Sequence, residues 1–139
     1  MGDEDLSENA ENDKPKFDWV AQRAACSLPK VFKTLRSDVE EDVRACNAQR
    51  EDISAYEFSI VEKGQDFSVV LEAKDFSRSV TFCLEAHAIS VLDHSGNHMF
   101  EITLNFDDNG RCRMKAKEEN REPWQVRRMA LEDLLFRVY

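Results

Sequence analysis

Cys83, His87, His94 and His98 fall within one short stretch, and the His94-x3-His98 gap matches a spacing that zinc ligands use. Strand geometry separates them. If residues 88–93 pair with 98–104 around His94-Ser95-Gly96-Asn97, then His94 and His98 share one end of a hairpin. His87 then lies at the other end, roughly 20 Å away at ~3.3 Å per residue. Cys83 is also badly placed for the His94 end. The expectation is no metal site, with the histidines serving as polar turn residues.

Asp93-His94-Ser95 holds the residue types of a hydrolase triad. A triad is defined by geometry, and adjacent residues do not generally supply it. Asp-His-Ser-Gly is better read as turn chemistry. The carboxylates Asp38, Glu40, Glu41 and Asp42 form the one acidic cluster outside the N-terminal tail, with Asp38 and Asp42 on one helix face. No histidine or basic triad lies near them in sequence, so they read as a solvated face. Gly64, Gly96 and Gly110 stand singly in turns, so no phosphate-cradling loop is present. No catalytic residue and no cofactor site is expected.

Arg111, Arg113, Lys115 and Lys117 are the most distinctive surface feature. A period of two puts all four on one face of one strand. Such a row could dock an acidic partner, or a carboxylate or phosphate ligand. The preferred reading is that the row protects an edge strand from pairing with another chain, partly neutralised by Glu101 and Asp107.

The elements that position these groups follow from periodicity. Residues 17–26 fit both patterns: Phe17, Trp19 and Ala21 alternate as in a strand, while Phe17, Val20, Ala21 and Ala24 repeat as in a helix. Alanine content leans toward helix, and Ser27-Leu28-Pro29 forces a break in either case. A long helix follows, with Ser27 placed to cap it and Pro29 in its first turn. Leu28, Phe32, Leu35, Val39, Val43 and Cys46 draw one stripe along it, and it ends between Asn47 and Arg50. Arg36, Glu40 and Arg44 occupy its other face at pairing distance.

From residue 55 the period becomes two. Tyr56, Phe58 and Ile60 form one strand, and Phe67, Val69 and Leu71 the next. A two-residue loop at Lys63-Gly64 pairs Ile60 with Phe67 and Phe58 with Val69. Val80, Phe82 and Leu84 continue the apolar row, and Ile89 and Val91 make a short strand. The last hairpin closes on Gly110 through a three-residue loop. It pairs Phe106 with Cys112, Leu104 with Met114, and Ile102 with Ala116. A final helix starts near Pro123, with an apolar side of Val126, Ala130, Leu131, Leu134, Leu135 and Val138.

The expected fold is α+β: a two-layer sandwich with an antiparallel meander sheet of five or six strands. A long N-terminal helix and a C-terminal helix pack on its apolar face, and the polar face meets water. Were residues 17–26 a strand, the order of elements would resemble that of helix-grip ligand-binding folds. A likeness of topology implies no function.

Residues 1–16 are expected to be a disordered acidic tail ahead of a single domain, residues 17–139. They carry six acids and two lysines, and one large apolar side chain after the first Met. The whole chain has a net charge of −9, which disfavours nucleic acid and anionic membranes as partners. Cys26, Cys46, Cys83 and Cys112 are widely spaced, and no apolar leader opens the chain. All four are therefore expected to be reduced thiols in a cytoplasmic protein. The functional expectation is a non-enzymatic interaction or ligand-binding module, using the polar sheet face or a sheet–helix crevice to hold a protein partner or small ligand. The alternatives are an enzyme whose site is assembled from residues that sequence spacing does not pair, or a helix-grip-like binder.

Overall fold

The computed structural model describes residues 16–51 and 56–137. The tail expected at residues 1–16 lies outside them except for Lys16. Among the described residues, three helices and seven strands follow in the order α1 (Trp19–Ala25), α2 (Leu28–Gln49), β1 (Glu57–Lys63), β2 (Asp66–Glu72), β3 (Ser77–Leu84), β4 (Ile89–Leu92), β5 (His98–Phe106), β6 (Cys112–Ala116), β7 (Glu119–Arg121) and α3 (Pro123–Phe136). The sheet is a plain antiparallel meander in chain order, with β1 and β7 at its edges. No helix of the described residues is long and apolar enough to cross a membrane.

The stripe on α2 is buried as its spacing requires: Phe32, Leu35, Val39, Val43 and Cys46 all face inward. They meet Phe58, Phe67, Val69, Leu71, Phe82, Ile89, Val91 and Ile102 from one face of the sheet, and α3 adds Val126, Ala130, Leu131 and Leu134. Phe67 stacks on Phe82 with ring centroids 4.8 Å apart. This shared apolar layer makes the two-layer α+β sandwich. Ser27 stands at the N-cap of α2, but its side chain makes no capping bond there.

At the far end of α2, Asn47 serves the sheet edge. Its amide donates to the Phe58 carbonyl at 2.9 Å and accepts from the Phe58 N–H at 3.2 Å. These bonds satisfy backbone groups that an edge strand would leave open. Arg50 extends the join by lying over the Tyr56 ring, 4.1 Å from its centroid.

Two expectations about the elements need revision, and one open reading is resolved. The first hairpin pairs Ile60 with Val69 and Phe58 with Leu71, because its two loop residues are Gly64 and Gln65. Gly64 occupies the first central position with a positive φ of 64°, where glycine is unstrained. The shift is by two residues, so every side chain keeps its face. Residues 19–25 form a helix, which removes the condition on which the helix-grip likeness depended. The sheet has seven strands, because the chain turns back at Lys117 and Glu118 to make the three-residue β7. Those two residues take φ of 52° and 67°, a conformation that turns usually give to Gly, Asn or Asp.

The last hairpin has the register its pattern requires: Phe106 opposite Cys112, Leu104 opposite Met114, Ile102 opposite Ala116. Gly110, at φ 77°, closes the three-residue loop and donates to the Asp107 carbonyl at 3.0 Å.

Candidate functional site

The histidines do not converge. His87 sits in the β3–β4 turn, and His94 and His98 sit at the opposite end of β4; all three are exposed. No group of metal-ligating side chains forms among the described residues. Asp93 does turn chemistry: its Oδ1 accepts from the Ser95 and Asn97 N–H groups at 2.9 Å each.

Cys83 is the nearest approach to a reactive group. It lies on the outer face of β3, opposite Ser90, and half-buried. Burial first, and then the neighbouring Asp66 carboxylate, push its thiol pKa up, while Lys63 opposes weakly. A protonated thiol is a poor nucleophile. Cys46 is likewise pushed up by burial in the core.

The acidic face of α2 is not simply solvated. Arg127 of α3 reaches across and bonds Asp42 through Nε at 2.6 Å, with a second contact to Asp38 at 3.5 Å. Its side chain is 18% exposed, so this is a half-buried clamp between the two helices. The sequence could not pair these residues because some ninety positions separate them. Arg36 pairs with Glu40 one turn along, at 3.6 Å, and also with Glu62 of β1.

Arg127 lies between two concavities and lines both. On one side, α2 and α3 diverge around an open groove of about 560 Å³, lined mainly by Ala45, Cys46, Leu131 and Leu135 and bordered by Trp124 and Phe136. Trp124 is 54% exposed and Phe136 71%. The charged groups of this groove are paired among themselves: Arg127 with Asp42, and Arg128 with Glu132 at 3.0 Å. On the other side, a sheet–helix crevice of about 300 Å³ is lined by Ala25, Val31, Leu35, Cys112, Met114 and Pro123, among others.

The cationic row is split. Arg113 and Lys115 belong to β6, whereas Arg111 lies in the preceding loop and Lys117 enters the left-handed turn. Arg113 is held by Asp107 at 3.6 Å and by Glu122 at 3.9 Å. Arg111, Lys115 and Lys117 are exposed and make no ion pair within 4 Å among the described residues. Lys117 instead stands 5.9 Å from the Phe100 ring centroid. Asp107 has its carboxyl pKa lowered by hydrogen bonds from the Arg111 and Asn109 N–H groups, with help from the Arg113 charge. Because β7 lies outside β6, the row does not guard a sheet edge as expected.

The cysteines carry the largest correction. Cys26 and Cys112 are joined in a disulfide, with Cα atoms 5.3 Å apart and a sequence separation of 86. Cys46 and Cys83 are free thiols. Spacing alone offered no pairing signal, since the partners meet only when the β6 register turns Cys112 toward the helical layer and the α1–α2 junction brings Cys26 above it. No family model, no curated protein and no solved structure matches this chain.

Proposed function

We propose that this protein is a non-enzymatic interaction module whose helical layer docks an apolar segment of a partner protein. The observation that carries this reading is the groove between α2 and α3, flanked by the exposed rings of Trp124 and Phe136. Aromatic side chains exposed around an apolar concavity mark association surfaces. The charged groups of the groove neutralise one another, so the fitting partner is an amphipathic helix presenting apolar side chains rather than a charged peptide. An enzymatic reading has less support, because no nucleophile, base and orienting group meet among the described residues.

A second reading uses the polar sheet face. Arg111, Lys115 and Lys117 have no counter-charge within ion-pair distance among the described residues, which suits an acidic partner or ligand. The net charge of −9 speaks against nucleic acid and anionic bilayers as partners. Cytoplasmic placement is part of the same proposal. A bridge in that compartment is transient or redox-sensing, so the Cys26–Cys112 link is to be read in that light.

The test is affinity capture with three baits: wild type, Trp124→Ser with Phe136→Ser, and Arg113→Ser with Lys115→Ser. The groove reading expects a partner that survives high salt and is lost only with the first double variant. Loss only with the second, together with salt sensitivity, transfers the site to the sheet face. Retention by both variants refutes both surfaces.

A further inference from the structure

α1 is attached to the molecule differently from every other element. None of its seven residues is buried. Phe17, Trp19 and Val20 are 61%, 61% and 58% exposed. Its side-chain hydrogen bonds are internal: Asp18 accepts from the Ala21 N–H at 3.0 Å, and Arg23 donates to the Cys26 carbonyl at 3.3 Å. A helix this short does not hold itself together in water. Two features of the described residues tie down its ends. The Phe17 ring lies on Gly110 so closely that a Cβ at that position would overlap it. The Cys26–Cys112 bridge fastens its C-terminal end to β6.

We propose that this bridge is a redox-operated latch, and that a dithiol reductant opens it to release α1 from the body of the protein. The two sulfurs differ in access: Cys26 is buried, and Cys112 belongs to an exposed residue at the start of β6. A reductant thiolate attacks the Cys112 sulfur, the S–S bond breaks, and the Cys26 sulfur leaves as a thiolate that takes up a proton. The second thiol of the reductant then displaces Cys112, which also leaves as a thiol. The protein gains two electrons and two protons, and the reductant becomes a disulfide.

Once open, residues 19–25, none of them buried, keep the Phe17–Gly110 contact and the continuity of the chain as restraints. The fold remains, because α2 starts at Leu28 and its buried stripe does not depend on the bridge. The sheet–helix crevice loses a wall, since Ala25 lines it beside Cys112 and Met114. Redox state thereby controls whether Phe17 and Trp19, at the start of this arm, are held beside β6 or free to engage another surface.

The experiment uses the full chain with and without dithiothreitol. Alkylation after denaturation should find two thiols in the untreated protein and four after reduction. Trypsin should cut after Arg23 in the native reduced protein at least tenfold faster than in the oxidised one, with cleavage after Arg36 and Arg44 in α2 unchanged. Cys26→Ser with Cys112→Ser should behave as the reduced form and ignore the reductant. Four thiols in untreated protein would remove the latch. An unchanged rate after Arg23 would make the bridge purely structural, and acceleration spread over α2 would show that reduction loosens the fold instead of releasing an arm.

Discussion

α1 and α2 are separated by only Cys26 and Ser27, yet they are held by different physics. α2 buries a side chain at almost every turn and lies on the sheet through Phe32, Leu35, Val39, Val43 and Cys46. α1 buries none, and among the described residues a covalent bond and a ring contact fasten its two ends. Burial acts in the native state, by removing apolar surface from water. A cross-link acts largely by restricting the unfolded chain, and here it encloses most of the domain. Removing one or the other should therefore leave different traces.

The largest effect is expected at Leu35. It is 4% exposed in the middle of the α2 stripe, and Leu35→Ala should cost about 2–5 kcal/mol in denaturant unfolding. Replacing both bridging cysteines by serine should cost about 2–4 kcal/mol, read in non-reducing denaturant titrations against the oxidised wild type. That loss should come with native packing of α2 and the sheet intact, which near-ultraviolet circular dichroism can check. Arg127→Ala should cost about 1.5–2 kcal/mol, the low part of the range for bonds to charged groups, because Asp38 and Asp42 remain partly solvated. Trp19→Ser on α1 should change stability by no more than about 0.5 kcal/mol, as an exposed side chain away from any core contact. A loss at Trp19 comparable to that at Leu35 would erase the contrast between the two helices.

The same contrast explains what could be read in the sequence. α2 was legible because five buried positions repeat at helical spacing, and the last hairpin because apolar alternation, Gly110 and opposite charges all favour one register. The first hairpin slipped by two because Lys63-Gly64 and Gly64-Gln65 are both acceptable loops, and an even slip leaves no mark on the faces. β7 was missed because Lys117 and Glu118 carry none of the usual turn chemistry.

The candidate site was less legible still. The groove depends on how α2 and α3 diverge, and the Asp38–Arg127–Asp42 clamp joins residues from the two ends of the fold. The row at Arg111, Arg113, Lys115 and Lys117 was visible as a pattern, but its division between strand and turns was not. The bridge joins two cysteines that only the tertiary arrangement brings together.

Native-state hydrogen exchange on the oxidised protein tests the central claim, that burial holds α2 and a tether holds α1. Amides of α2 from Phe32 to Cys46 should exchange only through opening close to global unfolding, while those of residues 19–25 exchange through local opening, orders of magnitude faster. Equal protection of the two helices would contradict the account and would mean that α1 is packed against the domain in solution.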